Sequence, residues 1–129
     1  MNDVNQISLI LEFSMNDIEA KAYKLALLYI DKCKKFFPKE SHYRLPKGDP
    51  RKGYLFKHCH KLFREHGNEI TNENISLYIH AQLDILKHIT KNSEHPRIGP
   101  EIISGKKAWN RWLLWKSKYD KIKNFSIEN

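Results

Sequence analysis

His80, Asp84 and His88 follow one another at helical i, i+4 spacing, where two imidazoles and a carboxylate on one face can meet a single metal ion. The pattern is short, and no second element is seen to supply a further ligand. Those residues therefore read as a polar outer face whose charge responds to pH. His58, Cys59 and His60 resemble a ligand cluster in print. Adjacent helical residues diverge by about 100°, so they cannot converge on one ion. No metal site and no cofactor is expected. The chain has no GxSxG, HExxH or P-loop pattern, and Gly105-Lys106 lacks the preceding glycine of a phosphate loop. A non-enzymatic role is expected.

Two sets of cations offer a different chemistry. Lys57, His60, Lys61 and Arg64 share the outer side of one helical segment, opposite Leu55, Phe56, Cys59, Leu62 and Phe63. At spacings of three and four, like charges repel mildly, and a polyanion laid along them relieves that cost. A solvated lysine face accounts for the same pattern equally well. Lys107, Arg111, Lys118 and Lys121 form a second strip, on the back of a segment whose Ala108, Trp112, Trp115, Tyr119 and Ile122 make the apolar face. Trp109, Trp112 and Trp115 invite a base-stacking reading. The periodicity instead places Trp112 and Trp115 in a core and leaves Trp109 at the stripe edge as the exposed ring. Lys39 and Arg44 flank Tyr43 in a loop that is both basic and aromatic.

The elements needed to hold these residues are helical. Ile18, Ala22, Leu25, Ala26, Tyr29, Ile30, Cys33 and Phe36 recur at the helical period, with Ser14 or Asn16 as cap and Pro38 as the stop. Leu27 and Leu28 fall off that stripe, so this first helix buries a wide arc or meets a partner on its second side. Asp49-Pro50 opens a second helix to His66, with Gly67 as a left-handed cap. Thr71 opens a third through Thr90, with Ile75, Tyr78, Ile79, Gln82, Leu86 and Ile89 inward. Pro96, Gly99 and Pro100 punctuate the next loop, and Ser104 caps a fourth helix to Phe125. Gln6–Phe13 is the one candidate strand. The expected fold is all-α: a four-helix bundle of up-down topology over residues 14–129, preceded by a short N-terminal extension, 1–13.

Length and charge agree with a single domain and an acidic partner. The 129 residues suffice for one core. Lys and Arg number 23 against 15 Asp and Glu, a net charge of +8 that favours nucleic acid, although a Lys-, Asn- and Ile-rich chain also acquires such charge through base composition. Cys33 and Cys59 form neither a disulfide framework nor a CxxC motif and read as reduced core thiols of a cytoplasmic protein. The run Ile7–Phe13 is too short and too interrupted for a membrane span or a signal sequence.

KAYKLALLYIDKCKKFFPKESHYRL, Lys21 to Leu45, resembles the first helix and the following turn of a small four-helix-bundle family. That family includes the rRNA intervening-sequence proteins and the accessory variability proteins of diversity-generating retroelements. LYIHAQLDILKHI, Leu77 to Ile89, is similar to the family's third helix, and the segment around Trp112 to its last. The resemblance covers about a third of the chain. It implies a basic bundle, often a homo-oligomeric ring, that binds nucleic acid and in retroelement members a reverse transcriptase. The chain departs from the family at His42, in the insertion Pro46–Pro50, and in lacking a small-residue-rich second helix.

The expectation from sequence is a nucleic-acid-binding bundle, RNA or DNA, serving a ribonucleoprotein or reverse-transcriptase assembly. Its affinity comes from counterion release along Lys57, Lys61, Arg64, Lys107, Arg111, Lys118 and Lys121, and it tolerates sequence variation. The rival readings are a protein–protein adaptor using Leu27, Leu28 and Leu114 against an acidic partner, and a small subunit of a CRISPR effector complex.

Overall fold

The computed structural model describes residues 15–39, 44–92 and 99–128, with side chains described as far as residue 121. Among the described residues four α-helices follow one another: α1 Asp17–Phe36, α2 Tyr54–His66, α3 Ile75–Ile89 and α4 Lys106–Glu128. Short 3₁₀ turns, Pro50–Lys52 and Pro100–Ile102, precede α2 and α4. With no strand among the described residues, the architecture is the expected all-α four-helix bundle. The extension 1–13 and its candidate strand lie outside the described residues.

Asn16 starts α1 through a capping box. Its side chain accepts from the Glu19 amide at 2.8 Å, and the Glu19 carboxylate accepts from the Asn16 amide at 3.1 Å, so two otherwise free donors are satisfied. Ala22, Leu25, Ala26, Tyr29 and Cys33 of the apolar stripe are buried as the period requires, while Ile18 is exposed. Leu27 and Leu28 are half-buried against the same core, which resolves the wide-arc question: α1 packs on α2 with one side and on α3 with another.

The second helix departs from expectation at both ends. Asp49 caps Pro50–Lys52, but those residues form a 3₁₀ turn, and Gly53 is extended before α2 begins at Tyr54. A Cβ at Gly53 would lie 2.7 Å from the Pro46 ring, so the loop closes here over a residue without a side chain. Gly67 was expected to be left-handed; its φ of −60° and ψ of −29° are right-handed. The chain turns instead through the His66 carbonyl, which accepts from the amides of Glu69 and Ile70, and Ile70 is drawn fully into the core.

Thr71 opens a turn, its carbonyl accepting from Asn74, and α3 begins at Ile75. Ile75, Tyr78, Ile79 and Gln82 face inward, joined by Ala81 and Leu83. Ile89, expected on the inner face, is 72% exposed. The pairing of α3 with α4 explains this. The two helices run antiparallel, with His80 opposite Trp115 and Gln82 opposite Ala108 near the start of α4, so the last turn of α3 outruns its partner. Ser104, expected to cap α4, is not the residue before the helix: Gly105 is, at φ +99°, a conformation that favours glycine. The Ser104 hydroxyl lies 2.7 Å from His58 Nδ1, tying the α3–α4 loop to α2, and the Tyr78 hydroxyl donates to the Ile103 carbonyl in the same loop.

Candidate nucleic-acid interface

The apolar face of α2 fixes where its cations go. Leu55, Phe56, Cys59, Leu62 and Phe63 are all buried, which leaves Lys57, Lys61 and Arg64 exposed and His60 half-buried on the outer side. Together with Arg51, His58 and Glu19 they line an open groove of about 490 Å³. None of the ion pairs formed among the described residues involves Lys57, Lys61 or Arg64. Their spacing of four and three residues sets them along one edge of the helix, and the His60 ring lies nearly parallel to Phe56 at 5.9 Å.

Arg51 had no role in the sequence reading, where it was merely part of a helix start. It sits in the groove but is already engaged: Asp49 accepts from its guanidinium at 2.6 and 2.9 Å, and Glu19 accepts at 3.3 Å. These hydrogen bonds hold the Asp49 carboxyl below its usual range. Arg51 therefore pins the 3₁₀ turn to the start of α1, and the three α2 cations carry the groove charge that no described carboxylate pairs. The signal in the sequence was an Asp two residues before an Arg, a pair that reads as a cap until Glu19 is seen beside it.

On α4, Lys107, Lys118 and Lys121 are exposed as a strip, as the wheel requires. Arg111, placed with them from sequence, is turned inward. Its Nε donates to Gln82 Oε1 at 3.0 Å and its NH2 to the Ile102 carbonyl at 3.4 Å. Gln82 is buried and donates to the Ala108 carbonyl at 2.7 Å, so Arg111 completes a polar node where α3, α4 and the loop meet. The reason is local: a buried amide oxygen needs a donor, and Arg111 is the side chain within reach. Lys39 and Arg44 are exposed at the two ends of an interval, 40–43, that lies outside the described residues.

The tryptophans divide differently from the expected pattern. Trp112 is in the core. Trp109, expected to be the exposed ring, is half-buried and stacks on His66 at 3.7 Å with the rings 3° from parallel. Trp115, assigned to the core, is half-buried against it, whereas Tyr119, assigned with it, is 38% exposed. One turn apart, they stack at 5.1 Å. An i, i+4 aromatic pair on a helix with basic neighbours was the available signal, and the wheel alone cannot say where the partner helix stops covering it.

His80 is turned into edge-on contacts with Phe36 and Trp115, and Asp84 accepts from the Trp115 indole at 3.3 Å. Among the described residues no three His, Cys, Asp or Glu side chains come together in a way that could hold a metal ion. Both thiols are buried, which pushes Cys33 up to about 11 and Cys59 further. Of the leucines assigned to an adaptor surface, Leu27 and Leu28 pack on the core and Leu114 is exposed. No described helix is long and apolar enough to cross a membrane. The chain matches no family model, no curated protein and no solved structure.

Proposed function

We propose that this protein is a non-enzymatic, cytoplasmic nucleic-acid-binding bundle, acting as an accessory subunit of a ribonucleoprotein or reverse-transcriptase assembly. The observation that carries the binding is the α2 groove. Among the described residues, three cations without carboxylate partners stand along one helix edge, and Glu19, which also lines the groove, is engaged by Arg51 and by the α1 cap. Such an array attracts a polyanion chiefly by releasing its counterions, without reading bases. Lys107, Lys118 and Lys121 supply a second basic strip. The assembly itself is argued from the resemblance of Lys21–Leu45 and Leu77–Ile89 to the bundle family, and the buried thiols suit a reducing compartment.

Fluorescence anisotropy with labelled RNA and DNA tests the binding. Affinity is expected to fall steeply with salt and to fall again when Lys57, Lys61 and Arg64 are replaced by glutamine. Binding that ignores both changes would remove the phosphate reading. Co-purification of the tagged protein with a reverse transcriptase or other nucleoprotein subunit tests the assembly.

A further inference from the structure

Trp112, Trp115 and Tyr119 form a ladder of nearly parallel rings along α4. Successive centroids are 6.3 and 5.1 Å apart, and the ring planes differ by 15° and 12°. The ladder begins in the core at Trp112 and climbs through Trp115 to the exposed Tyr119. Trp115 is held in place by its two neighbours, by the edge of His80 at 6.0 Å, and by its indole N–H on Asp84, and its remaining edge lines the surface. Rings fixed in this way lose little freedom when another ring is laid against them.

The upper part of the ladder borders an open cleft of about 750 Å³ between α1, α3 and α4, within the range of small-ligand sites. Lys32 and Lys116 line it, and so do Glu73 and Asp120. A bare phosphate gains little from so balanced a set of charges. A flat, neutral heterocycle gains from all of it: the rings offer a stacking face, the carboxylates accept from exocyclic amino groups, and the lysines stand near the backbone that carries the base.

We infer that the Trp115–Tyr119 cleft is a stacking site for an unpaired base, so that the protein binds single-stranded nucleic acid in preference to duplex. This inference rests on the nucleic-acid reading of the α2 groove and adds the strandedness of the ligand. A duplex keeps its bases stacked on one another and offers this site none.

The test compares a short single-stranded RNA with its duplex, using wild-type protein and the Tyr119→Ala and Tyr119→Phe variants, by anisotropy and by tryptophan emission. Single-stranded RNA is expected to bind more tightly than duplex and to quench emission where duplex does not. Tyr119→Ala is expected to weaken single-strand binding about 5- to 150-fold, the range for losing one stacked base. It should leave duplex affinity unchanged, and Tyr119→Phe should restore binding. Equal affinity for both forms, with Tyr119→Ala silent and salt dependence intact, overturns the stacking site and leaves the α2 groove standing. Binding to neither form at low salt overturns both. The emission measurement on wild-type protein decides the question even if Tyr119→Ala fails to fold.

Discussion

Salt titration puts a number on the α2 groove. Each phosphate neutralised on duplex DNA contributes about −0.9 to the slope of log K against log salt, and on a single strand about −0.7. With Lys57, Lys61 and Arg64 as the groove cations in no ion pair among the described residues, the slopes become about −2.7 and −2.1. Raising salt from about 50 to about 200 mM should then cost about 40-fold on duplex and about 20-fold on a single strand. If Lys107, Lys118 and Lys121 also touch phosphate, the duplex slope doubles to about −5.4, so one titration tells whether one face or two is used. Lys61→Gln should flatten the slope by about 0.9 or about 0.7 according to the ligand. Anisotropy across a salt series measures all of this. A flat titration, or a triple glutamine variant of Lys57, Lys61 and Arg64 with the wild-type slope, would refute the reasoning.

Three further expectations concern side chains that hold the site in place. Arg111→Ala leaves the buried Gln82 oxygen without its donor, and should cost about 1–3 kcal/mol in urea denaturation; if it instead lowers the salt slope and spares stability, Arg111 is a phosphate ligand after all. Tyr29 is buried, and among the described residues its hydroxyl meets only the weak Cys33 thiol, so Tyr29→Phe should be neutral or stabilising by about 1 kcal/mol, and a loss of stability in the same assay would show that the hydroxyl has a partner. The Asp49 carboxyl is held below its unfolded value by Arg51. Its contribution is therefore complete above the ordinary carboxylate range and is lost as pH falls through the lowered folded value. Thermal melts of Asp49→Asn across acidic pH should show a shallower decline than wild type, and identical profiles would count against the clamp.

Periodicity located the four described helices because each has an apolar stripe; α2 shows this most cleanly, with its five inward residues and three exposed cations where the spacing put them. What it could not reach were the places where a neighbouring element decides. Ile89 repeats the α3 period as faithfully as Ile75 does, but α4 begins too late in the antiparallel register to cover it. Arg111 lies on the basic strip by angle, yet the length of its side chain lets it reach back to an amide on α3. Tyr119 shares a face with Trp112 and differs from it in distance along α4, which an angular reading does not see. Gly67 and Ser104 carried ordinary cap chemistry that was overruled, one by the burial of Ile70 and the other by the nearby His58.

The position of α1 between α2 and α3 bears on how the molecule opens. A helix covered on one side can expose its amides by releasing one neighbour, whereas α1 must shed two. Its central amides, around Leu25 to Tyr29, should therefore exchange with solvent only through global unfolding. The last turn of α3, which outruns α4, should exchange by local fraying. Urea should accelerate exchange in α1 as steeply as it unfolds the whole protein, while exchange near Ile89 should respond weakly. The two candidate binding faces, on α2 and α4, are mounted on helices that each pack chiefly on one neighbour.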